Sequence, residues 1–386
     1  MMTFNPDRSA LVERRRHFRT HPELAFQEVE TSRHIAEFLE SVGWTVHRGV
    51  GGTGVVAQLT REPVGASVMI RVDIDALPLD DELQAEFRSS RQGAAHACGH
   101  DGHIAVALTV AEWLTSQRDW HGRVTLVFQP AEEILQGAQA MIKDGLFEFG
   151  PFDSMLAFHL WNFLPLGKVG VRAGPSHASV ERVDIEVHGT GGHGGMPHLA
   201  VDAGFVLNET LSTLDRLISR IASPLDAVTL TFGEVKSGST YNVLPDKAVA
   251  SGTLRTLSPD VHHRVREAIL RTADLTARIF RASASCTFSG EVPPVVSDSR
   301  ISEIVREVAA WVVGEEEVVA QDPVMGGDDA SLLLQSVPGA YFVVGSQRVA
   351  GERHPTHHHP AFNFEEDALV LASRVLALSA RQLLSL

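Results

Sequence analysis

An α/β domain interrupted by an inserted α+β domain is the architecture this chain predicts, on three observations. Its 386 residues exceed what one hydrophobic core usually supports, so two domains are expected. Helical stretches alternate with short apolar, partly β-branched runs as far as Phe158, the mark of an α/β fold. From residue 179 the strands instead alternate apolar with polar residues, in the β-α-β-β-α-β order of a ferredoxin-like sandwich, and buried-type segments return after residue 292. The expected division is residues 1–178 with 293–386 in one discontinuous domain, and 179–292 in the insertion.

Residues 7 to 42 read as two helices, Asp7 to Arg19 and Glu28 to Val42, separated by His21-Pro22-Glu23 and stopped by Gly43. Thr53 to Leu59 and Ser67 to Val72 suit strands buried on both faces. Apolar residues recur at helical spacing from Ile104 to Gln117. Gly122 to Phe128 reads as a strand, Gly137 to Asp144 as a helix and Ser154 to Phe158 as an apolar strand. In the insertion, Ser179 to Val187 alternates like a strand with one wet face. The glycine-rich turn Gly189 to Gly195 follows, then a long helix from about Val201 to Ile221. Strands at Ala227 to Val235 and Lys247 to Thr256, a helix from Pro259 to Arg281 and a strand at Ala282 to Phe288 complete it, with Pro293-Pro294 at the exit. A helix at Arg300 to Val312, a strand at Ala340 to Val344 and a helix from Glu365 close the chain.

Composition narrows the function classes. A net charge of -15 argues against a nucleic-acid partner, whose phosphates need a basic face. The longest apolar runs, such as Ala368 to Leu378, are broken by polar residues and too short for a bilayer, so no membrane role is expected. The opening Met-Met-Thr-Phe-Asn-Pro lacks an apolar export core, and Cys98 and Cys286 lie far apart, as in a protein kept reduced in the cytoplasm. A cytoplasmic enzyme is the expectation.

In open α/β sheets a ligand sits beyond the carboxyl ends of the strands. Strand 67–72 ends in Asp73-Ile74-Asp75, strand 122–128 in Gln129-Pro130-Ala131-Glu132-Glu133, and strand 154–158 in His159. Cys98-Gly99-His100-Asp101-Gly102-His103 packs four potential ligands into six residues ahead of a helix, and a late loop offers His354, His357, His358 and His359. Each has an ordinary alternative: Glu132-Glu133 as a helix first turn, Cys98 as a small buried hydrophobe, a histidine as a surface residue. All would have to hold at once. A mixed Cys, His and carboxylate set suits Zn or Mn and exceeds the needs of one tetrahedral ion, so two divalent ions sharing a water are expected. Such a pair suits amide hydrolysis, with one of Glu132 and Glu133 binding metal and the other moving the water's proton; spacing does not say which.

Five segments carry a specific resemblance: Arg71-Val72-Asp73-Ile74-Asp75-Ala76-Leu77-Pro78, His96-Ala97-Cys98-Gly99-His100-Asp101-Gly102-His103, Gln129-Pro130-Ala131-Glu132-Glu133, Gly191-Gly192-His193-Gly194-Gly195-Met196-Pro197-His198 and His358-His359-Pro360-Ala361-Phe362. They resemble the amidohydrolase branch of the aminoacylase/carboxypeptidase metallopeptidases, which includes hippurate hydrolase, N-acyl-amino-acid amidohydrolases and the plant hydrolases of indoleacetyl-amino acids. The match covers nearly the whole chain in order. Arg15-Arg16-His17 with His21-Pro22-Glu23-Leu24 is similar to the family's opening.

The resemblance implies a catalytic domain with a mixed central sheet flanked by helices, and an inserted lid domain that dimerises. It implies that Cys98, His100, Glu133, His159 and His358 hold two divalent metal ions, with Zn or Mn first and Co or Ni compatible. Glu132 is the implied general base, with Asp75 orienting a ligand from behind. In relatives the histidine matching His193 reaches across the dimer to the tetrahedral oxyanion, and Asn242 and Arg255 match positions that bind the substrate's carboxylate. The substrate is then a small N-acyl amino acid of acetyl, benzoyl or indoleacetyl type. A dipeptidase or carboxypeptidase could use the same site, and a metal-dependent binding protein without catalysis is the reading from another class. Two departures touch specificity: Gly327-Asp328-Asp329-Ala330 stands where most members carry Ser-Glu-Asp-Phe, and Asp202-Ala203 replaces the usual Asp-Pro.

Overall fold

Seven consecutive buried residues, Ser67–Asp73, form the middle of the larger sheet, which is how an apolar run with no wet face must fold. The computed structural model describes residues 3–62, 65–347 and 354–386, which divide into two units. The first comprises Met1–Ser176, Val295–Asp322 and Asp329–Leu386; the second His177–Pro294 and Pro323–Asp328.

In the larger sheet of the first unit eight strands, among the described residues, lie in the order Thr45–Val50, Gly54–Arg61, Gly122–Gln129, Ser67–Asp73, Ser154–Pro165, Gly339–Gln347, Val169–Val171 and Val318–Ala320. The four from Gly122–Gln129 to Gly339–Gln347 run parallel and antiparallel partners flank them, so the sheet is mixed. Val68, Ile70 and Val72 point into a core covered by helices Arg8–Thr20, Val29–Ser41, His100–Ser116, Ser299–Val313 and Asp367–Leu383. Met69 points the other way, into a smaller core with Val56, Met141, Met155 and Tyr341. Each such apolar side chain contributes about 1.5–3 kcal/mol by leaving water.

Three strands of this sheet escape the hydrophobic pattern for physical reasons. Thr45–Val50 is an edge strand that buries only Val50, while Val169–Val171 and Val318–Ala320 are too short to show a period. One expectation is corrected: the strand from Ser154 does not stop at Phe158 but runs through His159 to Pro165. Its register pairs Ala157 with Arg71 and His159 with Val343, and Asp73 pairs with Gln129. Gln129, Asp73 and His159 therefore stand level across adjacent strands.

The second unit is an antiparallel sheet in the order Val228–Ser237, Lys247–Thr256, Ser179–His188, Ser283–Val292. Val183, Ile185, Val187, Ala250 and Leu254 pack with Val206 and Leu214 of helix Ala203–Ile221 and Val265 and Ile269 of helix Pro259–Ile279. This is the ferredoxin-like order expected. Pro323–Asp328 belongs to this unit because Ala178 N–H donates to the carbonyls of Val324 and Gly326, at 3.1 and 2.9 Å, and Arg255 Nη1 to that of Met325.

Candidate metal centre

Asp75 organises the site from behind. Its backbone carbonyl accepts His100 Nδ1–H at 2.9 Å, and its two carboxylate oxygens accept the backbone N–H groups of Glu132 and Glu133 at 3.1 and 3.0 Å. The turn that delivers this glutamate pair contains Ala131 at φ 52°, a left-handed conformation that costs a non-glycine residue about 1 kcal/mol or more. Glu28 holds it there: one carboxylate oxygen accepts Ala131 N–H at 2.9 Å and the other the Thr53 hydroxyl at 2.5 Å. Burial pushes the Glu28 carboxyl up to about 7 against these hydrogen bonds. On the neighbouring loop Gly99 adopts φ 102°, which lets the chain turn abruptly from Cys98 into the helix that begins at His100.

The lone pairs converge. With Nδ1–H committed to Asp75, His100 presents Nε2, a buried atom without a partner, 3.8 Å from Glu132 Oε2, Glu133 Oε1 and Asp73 Oδ1. Glu133 Oε1 is likewise buried and unpartnered, and Glu133 Oε2 lies 3.4 Å from His358 Nε2. His159 donates Nδ1–H to the Leu160 carbonyl at 2.8 Å, leaving Nε2 to face Cys98 Sγ at 3.4 Å. Of the five ligand-type groups among the described residues, two include Glu133, Cys98–Glu133–His358 and His100–Glu132–Glu133, each with its ligand atoms within 4.8 Å of one another, and two others include His159. Buried, unpartnered His100 Nε2 and Glu133 Oε1, with the Cys98 sulfur close by, fit a pair of borderline divalent cations.

The electrostatics agree. Burial works to lower His100, but Asp73, Asp75 and Glu133 outweigh it and raise the ring to about 10. Burial, with Asp75 and Asp73 behind it, pushes Glu133 up to about 7, while His100 opposes. Burial together with Glu133, Glu132 and Asp73 drives the Cys98 thiol well above its usual range. The carboxylates and a Cys98 thiolate would repel one another at close quarters, a repulsion that the His100 ring offsets in part and that bound cations would relieve.

Neighbouring histidines are spoken for. His103 donates Nδ1–H to Asp73 Oδ1 at 2.5 Å and accepts Leu160 N–H on Nε2 at 3.0 Å, so it props Asp73 and strand Ser154–Pro165 rather than offering a lone pair. His354 donates Nε2–H to the Asn162 carbonyl at 2.7 Å and accepts from Gln347 on Nδ1, while the exposed His359 accepts Ala361 N–H. His358 is singled out by φ 68°, with its N–H on the Ala97 carbonyl at 2.8 Å, which turns its ring to Glu133.

Several supporting residues lay outside the sequence reading. Arg19, fully buried on the first helix, donates to the carbonyls of His96 and Phe362 at 2.6 and 2.9 Å and pairs with Asp81, tying the Cys98 loop to the late histidine loop. Arg15, one turn earlier, pairs with Asp101 and Glu366 and lies over the Phe364 ring. The available signal was two arginines four apart on the face that carries Leu11, Val12 and Phe18. Arg71 joins Asp73, Asp329 and Gln129 in one buried network, with Asp329 also accepting Ala138 N–H at 2.9 Å. Although burial alone would raise Asp73, His100, His103 and Arg71 hold it well below the usual carboxylate range.

The remaining predicted residues lie in the second unit. His193 pairs with Val243 in a short two-stranded ladder, and Gly194 N–H donates to the Asn242 carbonyl at 2.9 Å, so His193 and Asn242 are neighbours. Arg255 sits on strand Lys247–Thr256, with Nη1 on the Met325 carbonyl at 3.0 Å.

A mixed α/β sheet whose strands and adjoining loops bring together a thiol, three histidines and paired glutamates defines a metallohydrolase. Residues 69–382 match the model of peptidase family M20/M25/M40. The chain belongs to this family of hydrolases. It is 33% identical over 375 residues to N-acetyl-L-cysteine deacetylase of Bacillus subtilis, covering 97% of this chain and 88% of that protein. It is also 33% identical over 374 residues to thermostable carboxypeptidase 2 of Saccharolobus solfataricus, covering 96% and 94%. The crystal structure of Bacillus subtilis YXEP protein, a dinuclear metal binding peptidase of family M20, superposes with a TM-score of 0.86 at 31% identity, covering 98% of each chain.

Proposed function

We propose that the protein hydrolyses the amide bond of N-acyl amino acids, releasing a carboxylic acid and a free amino acid. The observation that carries this reading is the glutamate pair whose adjacent amides share one carboxylate, Asp75, while Glu133 turns its oxygens to His100 and His358. Cys98, His100, Glu133, His159 and His358 would hold two divalent ions; Zn or Mn suits this set, and Co or Ni is compatible with it. When bound, such ions lower the pKa of a water and polarise a carbonyl. Glu132, close to His100 but outside the Cys98 group, takes the attacking water's proton and passes it to the departing amine. Asp75 keeps both glutamates in register during that transfer.

In the second unit, Asn242 and Arg255 receive the substrate's carboxylate, and His193 of a second copy stabilises the oxyanion. That role requires a homodimer, a reading supported by the apolar side chains this unit leaves exposed, among them Leu225, Tyr241 and Ile279. A dipeptidase or carboxypeptidase is the second reading, favoured by the equal identity to a carboxypeptidase and a deacetylase. A silent binding protein is opposed by a second buried glutamate beside the one suited to metal.

The test is release of free amine from acetyl, benzoyl and indoleacetyl amino acids and from dipeptides, with Zn or Mn supplied. Glu132→Ala is expected to lower turnover by about 10²–10⁴-fold while metal content stays that of the parent. Undiminished turnover would remove Glu132 from the reaction, and exclusive cleavage of dipeptides would favour the second reading.

A further inference from the structure

His357 belongs to a ligand-type group with Cys98 and His159, yet its hydrogen bonding denies it a free lone pair. The backbone N–H of Asn162 donates to His357 Nε2 at 3.2 Å. A backbone amide can only donate, so Nε2 must be the accepting nitrogen and the ring proton must sit on Nδ1. Nδ1 faces Cys98 Sγ at 3.8 Å, long for a bond to oxygen but within reach of the larger sulfur atom. The ring has little freedom to leave this position. It stacks on Trp161 with centroids 4.9 Å apart and packs against Phe362, also at 4.9 Å, and Phe163 at 5.6 Å. The left-handed backbone at His358 separates the two successive histidines, one turned to the sulfur and the other to Glu133.

We infer that His357 is a positioning residue for the metal–thiolate bond: its Nδ1–H donates to Cys98 Sγ, fixing the sulfur's direction and drawing electron density from it. The inference rests on the reading of Cys98 as a metal ligand. Metal-binding histidines are commonly oriented by a partner on their second nitrogen, and here the same logic is applied to a cysteine, with the strand Ser154–Pro165 supplying the amide that sets the tautomer. An N–H donor lowers the energy of the sulfur lone pairs, so it raises the energy of charge transfer from sulfur to metal. It also leaves the thiolate a better defined and less exposed ligand.

Cobalt(II) reports on this directly. The full-length protein reconstituted with cobalt(II) should show a sulfur-to-cobalt charge-transfer band that Cys98→Ser abolishes. In His357→Leu, which keeps an apolar side chain against Trp161, the band should move to lower energy and zinc affinity, measured by competition with a chromophoric chelator, should fall by about tenfold or more. His357→Asn, whose side-chain amide reaches close to the Nδ1 position, should return both toward the parent. It also carries the comparison if the leucine variant does not fold. A band and affinity unchanged in His357→Leu would overturn the inference while leaving Cys98 as a ligand. Loss of one bound ion at saturating metal would overturn it by making His357 itself a ligand. A parent band absent, or indifferent to Cys98→Ser, would refute the assignment of Cys98 and the inference with it.

Discussion

One carboxylate, Asp75, sets the spacing between two glutamates and, through its backbone, the tautomer of His100. An amide in its place would turn an N–H toward one of two N–H groups. Asp75→Asn is therefore expected to weaken metal binding by about 10–100-fold in a chelator competition, with turnover falling in step. Glu28 works one residue further out, through Ala131. Burial raises its carboxyl from an ordinary 4.5 to about 7 in the fold, so the folded state binds this proton more tightly. The stability it contributes is fully present below pH 4.5 and is lost as pH rises through 7, a change of about 3 kcal/mol. Glu28→Gln keeps an acceptor for Ala131 N–H and removes the titration. The variant's advantage over the parent in urea unfolding is expected to grow from pH 5 to pH 8; a constant difference would dismiss the assignment.

At this scale Cys98, His100, Glu132, Glu133 and His159 were legible because each stands at the end of a readable segment or in a dense motif. The late histidines were not separable from the residues alone. His354, His357, His358 and His359 differ in which lone pairs are taken, and those are taken by Asn162, Gln347 and Ala361, positions that no local pattern links to them. Resemblance selects His358, and a positive φ distinguishes its backbone.

Among the elements, the short helix Gly137–Lys143 fixes the glutamate turn from its far side. A Cβ at Gly137 would lie 1.5 Å from the Pro130 carbonyl oxygen, backbone that cannot give way without moving the turn. Gly137→Ala is expected to cost about 3 kcal/mol or more in urea unfolding and to weaken metal binding together with stability. Loss of one without the other would separate the helix from the site. Inner strands were readable from apolar runs, whereas His159 was placed beyond a strand it lies within. The apolar pattern fails at His159 and again at Asn162 because the strand carries its working residues in mid-course, where their backbone partners are strand carbonyls and amides. The buried arginines of the first helix were legible as residues but not as braces, since their partners lie as far away as Phe362 and Glu366.

For the whole molecule, burial together with Glu133 and Glu132 disfavours a Cys98 thiolate, so a cation bound among them would add stability as well as chemistry. Addition of zinc or manganese is expected to raise Tm with concentration, by the equivalent of about 2.7 kcal/mol at a hundredfold excess over Kd, and chelation to reverse it. A Tm indifferent to both would show that the ligands are held without it.

The strand order also dictates when the protein can become itself during synthesis. Strand Gly339–Gln347 lies between Ser154–Pro165 and Val169–Val171, so this gap in the sheet stays open while the ribosome makes the whole of residues 177–294. Until that strand emerges, Ser154–Pro165 is an unpaired parallel edge, the kind of surface that recruits other chains. His358 follows eleven residues after that strand, so the strand that fills the gap and the late histidine proposed as a ligand leave the ribosome close together. Chains ending before Gly339 are expected to aggregate, and chains ending before His358 to bind metal more weakly than the parent in a chelator competition.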